Sequence, residues 1–177
     1  MTISPEYLEQ QKALHQNPNY GVASLQYADL VIAVADQVKA KSIADYGAGK
    51  CNLRRKMQEL GRGEFAYHPY DPVFPEYGTP TPADLVCCID VLEHIELDYL
   101  DAVLADLQRI TVKVGVFTIH TGPAVKHLPD GRNAHLIQQP PSWWLPRLCR
   151  HFEIVHLQRT PGGFWILVEP LAASGTA

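Results

Sequence analysis

The sequence predicts an α/β fold, a doubly wound and mostly parallel sheet that closes with a C-terminal antiparallel hairpin. Three observations predict it. Apolar segments ending at Tyr46, Tyr70 and Ile89 are each followed at once by glycine or an acidic residue, as strand ends are where an open α/β sheet faces a ligand crevice. Helix-like stretches alternate with these segments, as crossover helices do between parallel strands. Close to the C-terminus, two strand-like runs meet at Pro161-Gly162-Gly163, a hairpin turn.

The elements follow in order. Ser4-Pro5 offers a capping serine and a proline in the first turn of a short helix, which Asn17-Pro18 breaks; Tyr20-Gly21 reads as a turn. Leu25, Ala28, Leu30, Val31, Val34, Ala35 and Val38 give a helix over 23–39 with one buried face. Strands are expected over Ser42–Tyr46, Glu64–Tyr70, Leu85–Ile89, Val112–Ile119, Phe152–Arg159 and Phe164–Glu169. Helices are expected over Asn52–Leu60, Leu97–Arg109 and Ser142–Cys149, with Gly61 ending the first of these. Trp143, Trp144 and Trp165 read as packing residues of the last helix and last strand.

At 177 residues and 46% hydrophobic composition the chain suits one domain with one core. Residues 1–41 should form N-terminal helices, 42–170 the core and 171–177 a tail. Fifteen Lys and Arg against nineteen Asp and Glu leave a net charge of −4, so the whole molecule offers no basic field to nucleic acid. Of the four cysteines, Cys87 and Cys88 are adjacent in a predicted strand, a poor geometry for a disulfide framework, so Cys51, Cys87, Cys88 and Cys149 read as reduced thiols. Nothing resembles a signal peptide, and no apolar run approaches the roughly 18 residues of a membrane span. A cytoplasmic protein is expected.

The first strand end carries Asp45-x-Gly47-x-Gly49. The glycines allow positive φ and close approach of a ligand to the backbone, and the helix from Asn52 turns its free N–H groups to the same space. Asn52 stands where a pyrophosphate-binding loop has its third glycine, and Asp45 would repel phosphate, so a cationic or zwitterionic ligand fits better. This segment resembles the first motif of the class I S-adenosylmethionine-dependent methyltransferases. Asp71, about 20 residues beyond the glycines, extends the resemblance as a ribose-binding carboxylate. Asp84 to His94 resembles the family's fourth-strand motif and the short helix after it. The resemblance covers about residues 42–170 and implies that Asp45, Gly47, Gly49, Asp71 and Asp90 bind S-adenosylmethionine. Between Asp71 and Asp84 the family usually inserts a helix and a strand. Here Pro72, Pro75, Pro80 and Pro82 exclude regular structure, which predicts a member trimmed around its third strand. Phe74 and Tyr77 could supply an aromatic wall in its place, or pack on the surface.

Asp90-x-x-Glu93-His94 puts two carboxylates and an imidazole near one point if the turn is helical. Two readings stay open. Glu93 and His94 can be structural, bonding backbone beside the cofactor. Alternatively Asp90, Glu93 and His94 join a distant His135 around Mg²⁺ or Mn²⁺, an arrangement that resembles ubiquinone-pathway O-methyltransferases and small-RNA terminal 2′-O-methyltransferases. Asp90 is a shorter ligand than the glutamate usual there. The catalytic candidates are therefore His135, His94 and Glu93.

His120 and the polar segment Asp130 to His135 fall on the rim where an acceptor would enter. Arg132, Asn133 and His120 are the candidate substrate-binding residues. The expected function is methyl transfer to an oxygen, or less readily a nitrogen, of a small-molecule acceptor. Nucleic-acid methylation, at an RNA end or 2′-O, and a non-catalytic cofactor-binding partner subunit are the alternatives. No Asn/Asp-Pro-Pro-Tyr/Phe base-methylation motif is present, since Pro140-Pro141 lies between Gln139 and Ser142.

Overall fold

The computed structural model describes residues 2–171, so all of the expected tail beyond its first residue lies outside the described residues. Helix α1 (Pro5–His15) starts where expected: the Ser4 hydroxyl accepts from the Tyr7 N–H at 3.1 Å, with Pro5 in the first turn. The helix expected over 23–39 divides into a 3₁₀ segment, Ala23–Tyr27, and α2 (Ala28–Gln37). A second division gives the 3₁₀ turn Leu97–Tyr99 and α4 (Leu100–Ile110). Tightened first turns of this kind are common at α-helix starts. Helix α3 (Asn52–Glu59) and α5 (Pro141–Leu148) complete the set.

Strands β1 (Ser42–Tyr46), β2 (Ala66–Tyr70), β3 (Ala83–Ile89), β4 (Thr111–His120), β5 (Phe152–Thr160) and β6 (Gly163–Pro170) form one sheet in the order β2-β1-β3-β4-β6-β5. The first four are parallel, and β6 runs antiparallel between β4 and β5. The C-terminal hairpin and the mostly parallel, doubly wound sheet thus follow the sequence expectation. Between β2 and β3 only the 3₁₀ turn Pro75–Tyr77 forms, so β2 is an edge strand, and Pro69 within it is tolerated because only one side needs N–H donors.

Alternation along the parallel strands splits the core into two layers. Val86, Cys88, Phe117 and Ile119 pack with Leu104, Leu107 and Trp144 under α4 and α5. Ile43, Leu85, Cys87 and Val116 pack on the other face with Val31, Val34, Leu53 and Met57 of α2 and α3. All four cysteines are free thiols. No helix among the described residues is long and apolar enough to cross a membrane. With both faces covered, the carboxyl ends of β1, β2 and β3 are left to form the wall of a cleft.

Candidate active site

Asp45, Gly47, Gly49, Asp71, Asp90 and His94 all line this cleft, together with Tyr7, Gln11 and His15 of α1 and with Tyr20. Asp45, at the end of β1, is buried and accepts the Tyr67 hydroxyl; burial pushes its carboxyl up to about 7, the Tyr67 hydrogen bond opposing and Asp71 adding to the rise. Asp71 follows β2 directly. Its two oxygens accept from the Gly49 N–H at 3.0 Å and the Val73 N–H at 2.9 Å, which fixes the carboxylate against the glycine turn. Burial raises its pKa, opposed by those bonds and by nearby His15.

The glycines are required by contact as well as by dihedral. Gly47 has φ +81°, and a β-carbon there would stand 2.3 Å from Val91 Cγ2. Gly49 has φ +50° and faces the His15 ring, whose Cε1 would lie 3.2 Å from a β-carbon. Asp90, first residue after β3, holds φ +58°, a region that costs most L-residues about 1–2 kcal/mol and that Asp tolerates best after Asn and Gly. Its N–H is fixed by Thr118 Oγ1 at 2.9 Å.

The residues after Asp90 form a 3₁₀ turn in place of the expected α-turn, and the Asp90 and Glu93 carboxyls lie within hydrogen-bond reach of each other. Leu92–His94 is a 3₁₀ turn, in which neighbouring side chains point about 120° apart. Glu93 therefore turns inward. It is fully buried, its Oε1 accepts the His120 N–H at 2.5 Å, and its Oε2 has no hydrogen-bond partner of ordinary geometry. Burial first, then the Asp90 charge, raise the pKa of this carboxyl well above the usual carboxylate range. Expected as a fourth metal ligand, Glu93 instead braces the end of β4.

His94 faces the cleft and meets His135 edge to face, ring centroids 4.8 Å apart. Its Nδ1 lies 2.8 Å from the Ala134 carbonyl, and the Nδ1 of His135 lies 2.7 Å from the Gly122 carbonyl. A carbonyl can only accept, so both Nδ1 atoms carry a proton, and Nε2 is the atom that holds the lone pair when the ring is neutral. Burial lowers the His94 pKa to about 4, against the pull of Asp90. One donor atom from each of Asp90, His94 and His135 lies within 4.8 Å of the others.

The remaining candidates stand apart from the cleft wall. The Asn133 amide is spent on its own loop: Oδ1 accepts from the Ala124 and His135 N–H groups, each at 2.9 Å, and Nδ2 donates to the Ala124 carbonyl at 2.8 Å. Arg132 is paired with Asp130 at 2.7 Å and lies 6.0 Å from the Tyr7 ring centre. His120 packs beside His135, ring centroids 4.9 Å apart. Phe74 and Tyr77 stack on each other at 5.4 Å, whereas Pro72 and Val73 line the cleft, so the aromatic pair does not itself form its wall.

Sequence reasoning found α1 as a helix but missed its part in the cleft. Tyr7 donates to the His94 carbonyl at 2.7 Å, Gln11 donates to the Tyr7 hydroxyl, and Tyr20 donates to Gln11 Oε1 at 3.1 Å. The signal was present: Tyr7, Gln11 and His15 recur every four residues, one face of a helix.

No protein-family model matches the chain, and no curated protein matches it in sequence. Solved structures do match. The 1,6-didemethyltoxoflavin N1-methyltransferase of Burkholderia thailandensis, with 1,6-didemethyltoxoflavin and S-adenosylhomocysteine bound, superposes with TM-score 0.64 at 17% identity, over 93% of this chain and 89% of that one. The magnesium protoporphyrin IX methyltransferase of Synechocystis PCC 6803, with bound S-adenosylhomocysteine, gives 0.53 at 15% identity, over 93% and 94%. The methyltransferase domain of a bacterial Hen1 protein gives 0.55 at 13% identity, over 83% and 99%. At such identities the likeness is one of architecture: the chain has the fold of the class I S-adenosylmethionine-dependent methyltransferases.

Proposed function

We propose that the chain transfers the methyl group of S-adenosylmethionine to an oxygen of a small-molecule acceptor. One observation carries the reading: Asp45, Gly47, Gly49 and Asp71 line the same cleft as Asp90 and His94, so a donor cradle and a proton-accepting group share one space. In the reaction, an acceptor lone pair forms the new bond to the methyl carbon while the carbon–sulfur pair returns to sulfur, leaving a neutral thioether. Such displacement needs alignment and removal of the acceptor proton more than covalent help. His94 is neutral, with Nε2 free to take that proton. Asp45, whose carboxyl a cation beside it would drive to the ionised form, offers a partner for the donor's cationic end, and Asp71 keeps lone pairs for the ribose hydroxyls.

Asp90, His94 and His135 also suit a divalent ion. Both imidazoles give Nδ1–H to backbone carbonyls, the outer hydrogen bond that orients metal-ligating histidines. Two nitrogens and one carboxylate favour Mn²⁺ over Mg²⁺, which prefers an all-oxygen shell. A bound ion there would lower the pKa of the acceptor hydroxyl.

Calorimetry with S-adenosylhomocysteine tests the donor site: the unmodified chain should bind, and Asp71→Ala should weaken binding by about 1.5–3 kcal/mol, the range of charge-assisted hydrogen bonds. No binding by the unmodified chain rejects the reading. The same titration with Mn²⁺, then with Asp90→Asn, tests the metal: heat lost in the variant supports it, and no heat in either leaves His94 as the base. Incubation with labelled S-adenosylmethionine and a panel of phenols and amines reports the acceptor atom.

A further inference from the structure

Helix α1 sends three side chains into the cleft, and two of them are bonded into the protein. Tyr7 and Gln11 belong to the chain of hydrogen bonds that links α1 to the His94 carbonyl and to Tyr20. His15 differs. Its Nδ1 is buried and has no hydrogen-bond partner. Its ring is held edge-on between Tyr20, at 4.9 Å between centroids, and Phe74, at 5.3 Å, so the imidazole is oriented by packing and not by its nitrogens. A buried acceptor left unpaired is disfavoured unless something else supplies the partner.

What His15 faces suggests that partner. The ring stands over Gly49, with Cε1 at 3.2 Å from the position a β-carbon there would take. The Gly49 N–H is bonded to Asp71, and the His15 and Asp71 groups lie close enough to influence each other's charge. His15 and Asp71 thus flank one glycine from two separate elements, α1 and the end of β2. Burial lowers the pKa of the imidazole, against the pull of Asp71, and so favours the neutral ring, the form that can accept an O–H hydrogen bond. A vicinal diol has two hydroxyls to give, one for each side.

We propose that His15 is a donor-binding residue: its Nδ1 accepts one ribose hydroxyl of the methyl donor while Asp71 accepts the other. This rests on the donor site proposed above. It makes α1 part of that site, so the cradle is complete only when α1 is in place. Ser4 holds the start of the helix to the loop after β3, donating to Glu96 from its N–H at 2.8 Å and from its hydroxyl at 2.7 Å. Donor and helix should therefore stabilise each other.

The test is calorimetry on the full chain with S-adenosylhomocysteine, comparing His15→Phe and His15→Asn. Phenylalanine keeps the ring packing and removes the nitrogen; asparagine can place an acceptor near the Nδ1 position. His15→Phe should bind about tenfold more weakly and His15→Asn within about threefold of the parent. Binding of His15→Phe equal to or tighter than the parent overturns the proposal, the tighter case marking His15 as a plug that the donor displaces. Absence of binding by the parent removes the donor site and this proposal together, whereas equal binding by parent and His15→Phe removes only this proposal. If either variant fails to fold, the ¹⁵N resonance of the His15 imidazole in the parent decides: it should move when S-adenosylhomocysteine is added, and an unmoved Nδ1 signal at saturation overturns the proposal.

Discussion

Buried Asp45 and half-buried His94 line the same cleft and are perturbed in opposite senses. The Asp45 carboxyl is pushed up to about 7 by burial, against about 4 in an unfolded chain. The folded protein then holds a proton that the unfolded chain has lost, so this contribution to stability is complete below about pH 4 and disappears as pH rises through 7. His94, lowered to about 4 from an ordinary 6.5, contributes above about pH 6.5 and loses that contribution as pH falls towards 4. The two slopes oppose each other over one window. Asp45→Asn keeps a neutral acceptor for Tyr67 and removes only the first slope. Urea unfolding should show the variant gaining on the parent from pH 5 to pH 7.5, at ~1.4 kcal/mol for each pKa unit of the shift. A difference between variant and parent that stays flat across that range would place the Asp45 carboxyl in the ordinary range.

The loop between β4 and α5 decides how Arg132 and Asn133 act. It folds back on itself through Leu128 N–H to the Arg132 carbonyl at 2.8 Å and Ala134 N–H to the Lys126 carbonyl at 3.0 Å, and Leu128, Ala134 and Ile137 are buried beneath it. Three bonds of the Asn133 amide pin its two ends. Asn133→Ala should therefore destabilise the protein by about 2–3 kcal/mol, at roughly 1 kcal/mol for each bond lost, and impair turnover by releasing His135. Arg132 is half exposed, with its charge satisfied by Asp130, and Arg132→Ala should change stability by under about 1 kcal/mol. Thermal melts alongside turnover check both. Turnover lost in Arg132→Ala at an unchanged melting temperature would make that residue an acceptor-orienting group. From the sequence, both residues read alike, as polar side chains on a rim; the difference lies in the bridge between His127 and Asn133, a backbone pairing that no local pattern announces. The same limit applies to Glu93, whose burial depends on three residues adopting 3₁₀ instead of α geometry, and to α1, whose polar stripe reads as a solvent face until residues about 90 positions away are folded against it.

Over the whole molecule the central strands β3 and β4 were legible because burial on both faces demands apolar runs, and the gap after β2 was legible because prolines at 72, 75, 80 and 82 forbid a strand between Asp71 and Asp84. The consequence of that gap was not legible. Without a further strand, nothing of the sheet lies beyond β2, and the outer side of the Asp71 turn needs another cover. The segment after Asp71 supplies it by folding back: Phe74 N–H donates to the Asp71 carbonyl at 3.0 Å, Phe74 stacks on Tyr77, and the Tyr77 hydroxyl donates to the Gly49 carbonyl at 3.0 Å. One phenol thus ties the shortened connection to the glycine turn of β1. Tyr77→Phe keeps the stacking and deletes that bond, at a cost of about 1 kcal/mol in unfolding free energy. If the connection does the work of the missing strand, loosening Gly49 should also weaken S-adenosylhomocysteine by several-fold in calorimetry, because the Gly49 N–H positions Asp71. A variant that loses stability while binding at parental affinity would show that the segment covers the edge of the sheet and leaves the donor cradle to the strand ends alone.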